Sequence, residues 1–284
     1  MNKNFKPLSP LSRRGLLGAS AAAVAALSNV PARSQTPSMV GLPLTAQTTE
    51  GPYFLDGMRL RADITEGLPG VPVELRLSVR DALSAALPDC RVDIWQCDAM
   101  GLYSGFDGQG DSQTTSLVGK TFLRGAGLTD GQGRVVFKSI YPGWYQDRTT
   151  HIHFKVRHQG RTLVTSQFFL PDAMNEFLST QLPQYRRSSA RNVINSTDGI
   201  ARMAGNTVIG SVQEEADRYV AQLGVVVDPG ANVAPHRPGP GNGPPPGAVP
   251  GRGGPPPGFG GVPGLKAPEG AARVRALVPG QGAN

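Results

Sequence analysis

The chain has 284 residues, with 28 lysines and arginines against 21 acidic residues, and its glycines and prolines are numerous. The positive surplus sits before Pro31 and after Val227; the stretch between carries equal numbers of acids and bases. That balance argues against a nucleic-acid partner.

The first element is not fold. Ser12-Arg13-Arg14-Gly15-Leu16-Leu17 opens an apolar, alanine-rich run to Leu27, followed by Val30-Pro31-Ala32. A basic start, a moderate apolar run and a small-residue exit describe a signal peptide over 1–32, and the paired arginines point to the twin-arginine route. Export to the periplasm or the outside is expected. No later segment is long and apolar enough to span a bilayer, so no stable membrane span is expected once the signal is removed.

A mainly β domain is predicted over 33–227. In Pro72 to Arg80, Val73, Leu75, Leu77 and Val79 alternate with polar residues, the period-2 mark of a half-buried strand. Val92 to Trp95, Lys120 to Arg124 and Arg134 to Ile140 follow as strands, with Asp130-Gly131-Gln132-Gly133 turning between the last two. Ile152 to Val156 and Leu163 to Phe169 form a predicted hairpin over His158-Gln159-Gly160. About six strands separated by turns give an antiparallel β-sandwich with few short helices. One helix is predicted over Pro171 to Thr180. A second is predicted over Val212 to Leu223, where Val212, Ala216, Tyr219, Val220 and Leu223 share a helical face. Residues 228–284 read as a low-complexity tail rich in proline and glycine, expected to be disordered. Leu265, Val274 and Leu277 provide at most a short contact segment there.

Cys90 and Cys97 flank a predicted strand. An extended separation of seven residues spans roughly 23 Å, whereas a disulfide needs Cα atoms within about 7 Å. Two buried thiols are expected, and an intermolecular bridge is the alternative. With no second pair they do not form a zinc site.

The chemistry gathers around His151-Ile152-His153, two of only four histidines. On a strand, residues i and i+2 point to the same face, so both imidazoles can converge on one metal. Two surface histidines are the plainer reading of the pair alone. Upstream, Tyr141-Pro142-Gly143-Trp144-Tyr145-Gln146-Asp147-Arg148 breaks into a loop and places aromatics near that strand. A tyrosine oxygen is a hard anionic donor, and a highly charged ion acidifies it as it acidifies bound water. Two imidazoles and two phenolates would suit ferric iron and differ from the ferrous two-histidine-one-carboxylate set. Asp147 reads as a turn residue.

Three stretches carry a family resemblance: Thr49-Glu50-Gly51-Pro52-Tyr53; Val92 through Trp95, Cys97 and Gly101 to Tyr103; and Pro142-Gly143-Trp144-Tyr145 through Arg148 to His151-Ile152-His153. From about Gln47 to Pro171 the chain resembles the intradiol ring-cleavage dioxygenases, nearer to the protocatechuate 3,4-dioxygenase type and its exported branch. The helical N-terminal dimerisation region usual in the catechol 1,2 type is not expected here. The resemblance implies one non-haem Fe(III) per chain, held by Tyr103, Tyr145, His151 and His153. Tyr145 corresponds to the ligand that leaves when substrate binds and serves as a catalytic base. Arg148 corresponds to the active-site arginine, catalytic and substrate-binding, and Gln167 to a pocket glutamine. Thr49, Gly51, Pro52 and Tyr53 correspond to a segment lining the substrate pocket. The loop between Tyr145 and His151 is shorter than in the cytoplasmic members, which weakens the case for protocatechuate itself.

Each residue has a plainer alternative. Taken alone, Tyr103 reads better as a packed aromatic after a turn, and Arg148 has the alternative of a surface ion-pair partner. Tyr141 competes as a ligand but is kept as a core or pocket aromatic. Trp95 and Trp144 read as packing residues, His158 as an exposed turn neighbour, and His236 lies in the tail. The expected activity is O2-dependent intradiol cleavage of a catechol-type ring to a muconate-type diacid, in aromatic catabolism. Two alternatives stand beside it: a non-catalytic extracytoplasmic module that binds iron or a catecholate, and a passive envelope head tethered by the tail. A homo-oligomer is compatible with the sequence.

Overall fold

The computed structural model describes residues 41–234 and 266–277. The predicted signal over 1–32, His236, Leu265 and most of the low-complexity stretch lie outside the described residues.

Two four-stranded sheets pack face to face, as the alternating pattern predicts. One has the order β4-β1-β8-β7 and the other β3-β2-β5-β6. Here β1 is Pro72–Asp81, β2 Arg91–Trp95, β3 Arg124–Leu128, β4 Arg134–Ile140, β5 His151–His158, β6 Arg161–Phe169, β7 Ser211–Glu214 and β8 Tyr219–Val227. The pairings are antiparallel except β1 with β8. Leu75 and Leu77 of β1, Phe137 of β4 and Val225 of β8 meet Val92 and Ile94 of β2 and Ile152, Phe154 and Val156 of β5 in one apolar core. Burial of this kind is the main stabilising term of a sandwich. The β5–β6 hairpin closes over Gln159 and Gly160, both at positive φ (49° and 76°), as a two-residue loop requires.

The even-numbered residues of β5 make the core, so the odd-numbered ones face the other way. That face carries His151, His153 and Lys155, all buried, because the segment from Thr45 to Ala62 and the loop from Gln96 to Leu123 cover the sheet. Cross-strand register places Trp95 of β2 and Gln167 of β6 directly opposite His153.

Three sequence expectations need correction. Val212 to Leu223 is not a helix. Glu215 to Arg218 form a turn, and β7 and β8 pair across it. Tyr219, Ala221, Leu223, Val225 and Val227 alternate toward the core and match Val73, Leu75, Leu77, Val79 and Asp81 in register. The valine run and Gly224 favour this pairing over helix. The strand expected over Lys120 to Arg124 lies one stretch further on, as β3. Leu123 sits at φ 55°, which breaks an extended run. Gly125 and Gly127 hide the alternation: a Cβ at either would stand 2.6 Å from Ile64 Cγ2 or Val135 Cγ2. The strand total is therefore eight among the described residues, not six.

The first predicted helix is α1, Asp172–Gln181, followed by the short α2, Gly199–Ala204. Near the C-terminus α3, Gly270–Leu277, lies against α1. Arg273 donates to both carboxylate oxygens of Glu176, at 2.8 and 2.7 Å, and Ala267 N–H donates to the Asn192 carbonyl at 3.0 Å. The contact segment is thus held by ion pairing, with Val274 exposed. No helix among the described residues is long and apolar enough to cross a membrane. Cys90 and Cys97 are both buried and free.

Candidate metal centre

The two imidazoles converge, as the strand spacing requires. His151 Nε2 and His153 Nε2 lie 3.1 Å apart. His151 Nδ1 lies 2.7 Å from the Thr149 carbonyl and donates to it, which leaves its Nε2 as a lone-pair donor toward the site. Trp95 stacks on His153 at 4.9 Å and 12°, fixing that ring's plane. Burial, and then the Arg148 charge, push both imidazoles well below the ordinary histidine range, so both are neutral.

Two tyrosines complete the cluster. The Tyr145 hydroxyl is 3.3 Å from His151 Nε2. Tyr103 lies edge-on to Tyr145 at 5.7 Å and to His153 at 6.3 Å. Its backbone N–H is tied to Gln109 Oε1 at 2.9 Å, which anchors the loop after β2. Burial pushes the Tyr145 hydroxyl up to about 12 and Tyr103 well above its ordinary value; Arg148 pulls both down. Tyr141 is not in the cluster. Its hydroxyl donates to Asn175 Oδ1 at 2.8 Å within the core, as the plainer reading had it. Asp147, at φ 63°, accepts from Asn192 Nδ2 and is a turn residue.

Arg148 is fully buried, not a surface residue. Nε donates to Asp198 Oδ2 at 2.8 Å, Nη2 to Gln167 Oε1 at 2.5 Å, and Nη1 to the Tyr145 hydroxyl at 3.3 Å. Gln167 in turn donates through Nε2 to the Thr49 carbonyl, 3.2 Å away, on the Thr45 to Ala62 segment, which forms a strap across the site. Thr49, Gly51, half-buried Pro52 and Tyr53 follow one another on that strap. The Thr49 hydroxyl accepts from Gly51 N–H at 3.2 Å, and Tyr53 stacks on Tyr103 at 4.2 Å and 17°. Lys155 pairs with Glu50 and lies over the Phe54 ring, pinning the strap to β5.

Gly51 has φ 73°, and a Cβ there would come within 3.1 Å of His153 Cε1. Gly51→Ala is therefore expected to displace the His153 ring and lower metal affinity roughly 10-fold to 100-fold, the range for residues that only support a ligand. Chelator competition on the folded variant checks this.

The donor set fits a hard, highly charged cation. Among the described residues no three His, Cys, Asp or Glu side chains gather, so a metal here must draw on tyrosine oxygens. The Tyr103 hydroxyl is buried and has no hydrogen-bond partner. Such a group costs about 1–3 kcal/mol unless a partner is supplied, and a hard cation held by this cluster would supply one.

Sequence reasoning missed Asp198, which grips Arg148. Its N-cap signal before Gly199 is visible in the sequence, but its partner is 50 residues away. Trp95 has the packing role expected of it, and the ring it packs on is a candidate ligand.

Comparison with known proteins bears on this geometry. A family model described as "Dioxygenase" matches residues 49–184, which include Thr49 to Tyr53, both tyrosines of the cluster, Arg148 and both histidines. The chain is similar in structure to the intradiol ring-cleavage dioxygenase from Tetranychus urticae, with a TM-score of 0.61 and 25% identity over 68% of this chain and 98% of that one. The likeness to the intradiol ring-cleavage dioxygenases expected from the motifs is borne out. In sequence it is 27% identical over 150 residues to a chlorocatechol 1,2-dioxygenase of Pseudomonas putida, covering 44% of this chain and 53% of that protein. It is 29% identical over 154 residues to a hydroxyquinol 1,2-dioxygenase of Rhodococcus opacus, covering 46% and 48%. The chain spans about half the length of these curated relatives. The family resemblance and the β-sandwich expected from sequence are both borne out.

Proposed function

We propose that this protein is a non-haem Fe(III) dioxygenase that opens a catechol-type ring between its hydroxyl-bearing carbons with O2, giving a muconate-type diacid. The observation that carries this reading is the convergence of His151, His153, Tyr103 and Tyr145 beside a buried arginine, in a chain similar to the intradiol ring-cleavage dioxygenases. When bound there, ferric iron supplies Lewis-acid activation of the chelated catechol toward dioxygen. The protein's own residues do the rest. Tyr145, with its hydroxyl between His151 and Arg148, is placed to hold a substrate proton at its oxygen. Burial works against the Arg148 charge, but Asp198 together with Tyr145 and Tyr103 more than offsets it, so Arg148 stays cationic and can stabilise negative charge developing on the substrate. Tyr53, Trp95 and Phe106 exclude water with apolar surface.

Ring substituents follow from the cations available. Arg148 is engaged by Asp198 and Gln167, Arg124 by the Ser104 and Tyr53 carbonyls, and Lys155 by Glu50. A substrate carboxylate entering this part of the site meets no disengaged cation among the described residues. Catechol is therefore expected to exceed protocatechuate in kcat/KM by roughly 10-fold to 100-fold, the cost of an unpaired charge. Equal values for the two would contradict this. The names of the curated relatives, catechol-type and hydroxyquinol 1,2-dioxygenases, support the same direction.

Oxygen uptake by the iron-loaded chain tests the activity. One O2 consumed per catechol, with both atoms of labelled dioxygen in a diacid, is expected. Tight catechol binding without oxygen uptake would instead make this a binding module. Export by the twin-arginine route belongs to the same reading, supported by Arg13, Arg14 and the apolar run after them. Cell fractionation with Arg13 and Arg14 replaced by lysine is expected to trap the chain inside.

A further inference from the structure

Asp198 bonds to none of the four candidate ligands, yet its carboxylate is one residue removed from two of them, Tyr145 through Arg148 and His151 through Thr149. Oδ1 accepts from Ile200 N–H at 2.9 Å and Ala201 N–H at 3.0 Å, which caps α2. Oδ2 accepts from Arg148 Nε at 2.8 Å and from Thr149 N–H at 3.0 Å. Beyond these bonds the two paths diverge. Arg148 Nη1 goes on to the Tyr145 hydroxyl at 3.3 Å, and the Thr149 carbonyl receives His151 Nδ1–H at 2.7 Å. The same residue is thus held by Asp198 at its N–H and meets the ligand imidazole at its carbonyl, the two peptide units being joined at the Thr149 Cα. All of these groups are buried, so water does not compete for the bonds.

We propose that Asp198 is a positioning residue that sets two groups from one oxygen: the pose of Arg148 against Tyr145, and, through Thr149, the tautomer and orientation of His151. This rests on the functional reading above. An ionised carboxylate oxygen can only accept, so both donors are held at once. It leaves Nε2 of His151 free of its proton and aims Nη1 of Arg148 at the Tyr145 oxygen.

Two variants separate this from the capping role. Asp198→Asn keeps the volume and an N-cap acceptor but turns one acceptor into a donor; Asp198→Ser keeps a cap and cannot reach Arg148. Ile200→Ala loosens α2 without touching either path and serves as the stability control. In the iron-loaded chain both Asp198 variants are expected to lose roughly 10-fold to 100-fold in kcat, with KM changing far less. In the metal-free full chain, nitrogen NMR of the histidines is expected to show one Nδ1-protonated tautomer for His151, replaced by a mixture in both variants. Ile200→Ala keeps the wild-type kcat and tautomer. Asp198 variants with wild-type kcat and an unchanged His151 tautomer would overturn the proposal. If the wild-type chain itself consumes no oxygen with catechol, the functional reading falls. The tautomer comparison then decides the positioning role alone: a lost single tautomer supports it and a retained one overturns it.

Discussion

Replacing His153 with alanine is expected to lower iron affinity by more than about 100-fold, beyond the loss typical of residues that merely support a ligand. Turnover is expected to fall with the iron content. The reasoning is geometric. His153 is one of two neutral imidazoles whose Nε2 atoms stand 3.1 Å apart, and no His, Cys, Asp or Glu cluster among the described residues can replace it. Its side chain lies on the face of β5 away from the sandwich core, so Ile152 and Phe154 still pack between the sheets in the variant. Iron analysis after chelation, alongside far-ultraviolet circular dichroism, separates metal loss from unfolding. A folded variant that keeps a full equivalent of iron would remove His153 from the ligand set.

The second large effect is on stability. Arg148→Met leaves Asp198 buried with its main cationic partner gone, since both side chains are fully buried. Breaking a buried pair by removing one partner costs about 3–5 kcal/mol, because the remaining charge is uncompensated. In a domain of this size each kcal/mol moves Tm by roughly 2–4 °C. The double variant Arg148→Met with Asp198→Asn is expected to recover part of that loss, since the orphaned charge is gone while the α2 cap persists. Activity is not recovered, because the cation beside Tyr145 is still missing. Denaturant unfolding of the three chains gives the comparison. If Arg148→Met unfolds at the wild-type midpoint, the pair carries no structural weight.

The site was more legible in the sequence than parts of the fold that carry it. His151 and His153 needed only the two-residue period of a strand, and β5 supplies it. Tyr103 and Tyr145 could not be assigned from spacing, because Tyr141 offered an equal phenol in the same loop. The family motifs favoured Tyr145, and the structure shows Tyr141 spent on Asn175 in the core. Where local pattern and tertiary pairing disagreed, pairing won. Val212 to Leu223 has apolar residues at helical spacing, yet β1 offers β8 an open edge with matching alternation. In β3, Gly125 and Gly127 carry no hydrophobic signal because neighbouring side chains fill their space. Asp198 could be read as a helix cap, but its bond to Arg148 exists only once β5 and α2 meet.

The central claim is that two tyrosine oxygens and two imidazoles hold ferric iron where a catechol can reach it. A visible spectrum of the purified, iron-loaded chain, before and after catechol is added without oxygen, tests it most directly. The account predicts a tyrosinate-to-iron charge-transfer band that moves to longer wavelength with catechol and is altered in Tyr145→Phe. A folded, iron-loaded protein that is colourless and unchanged by catechol would contradict it.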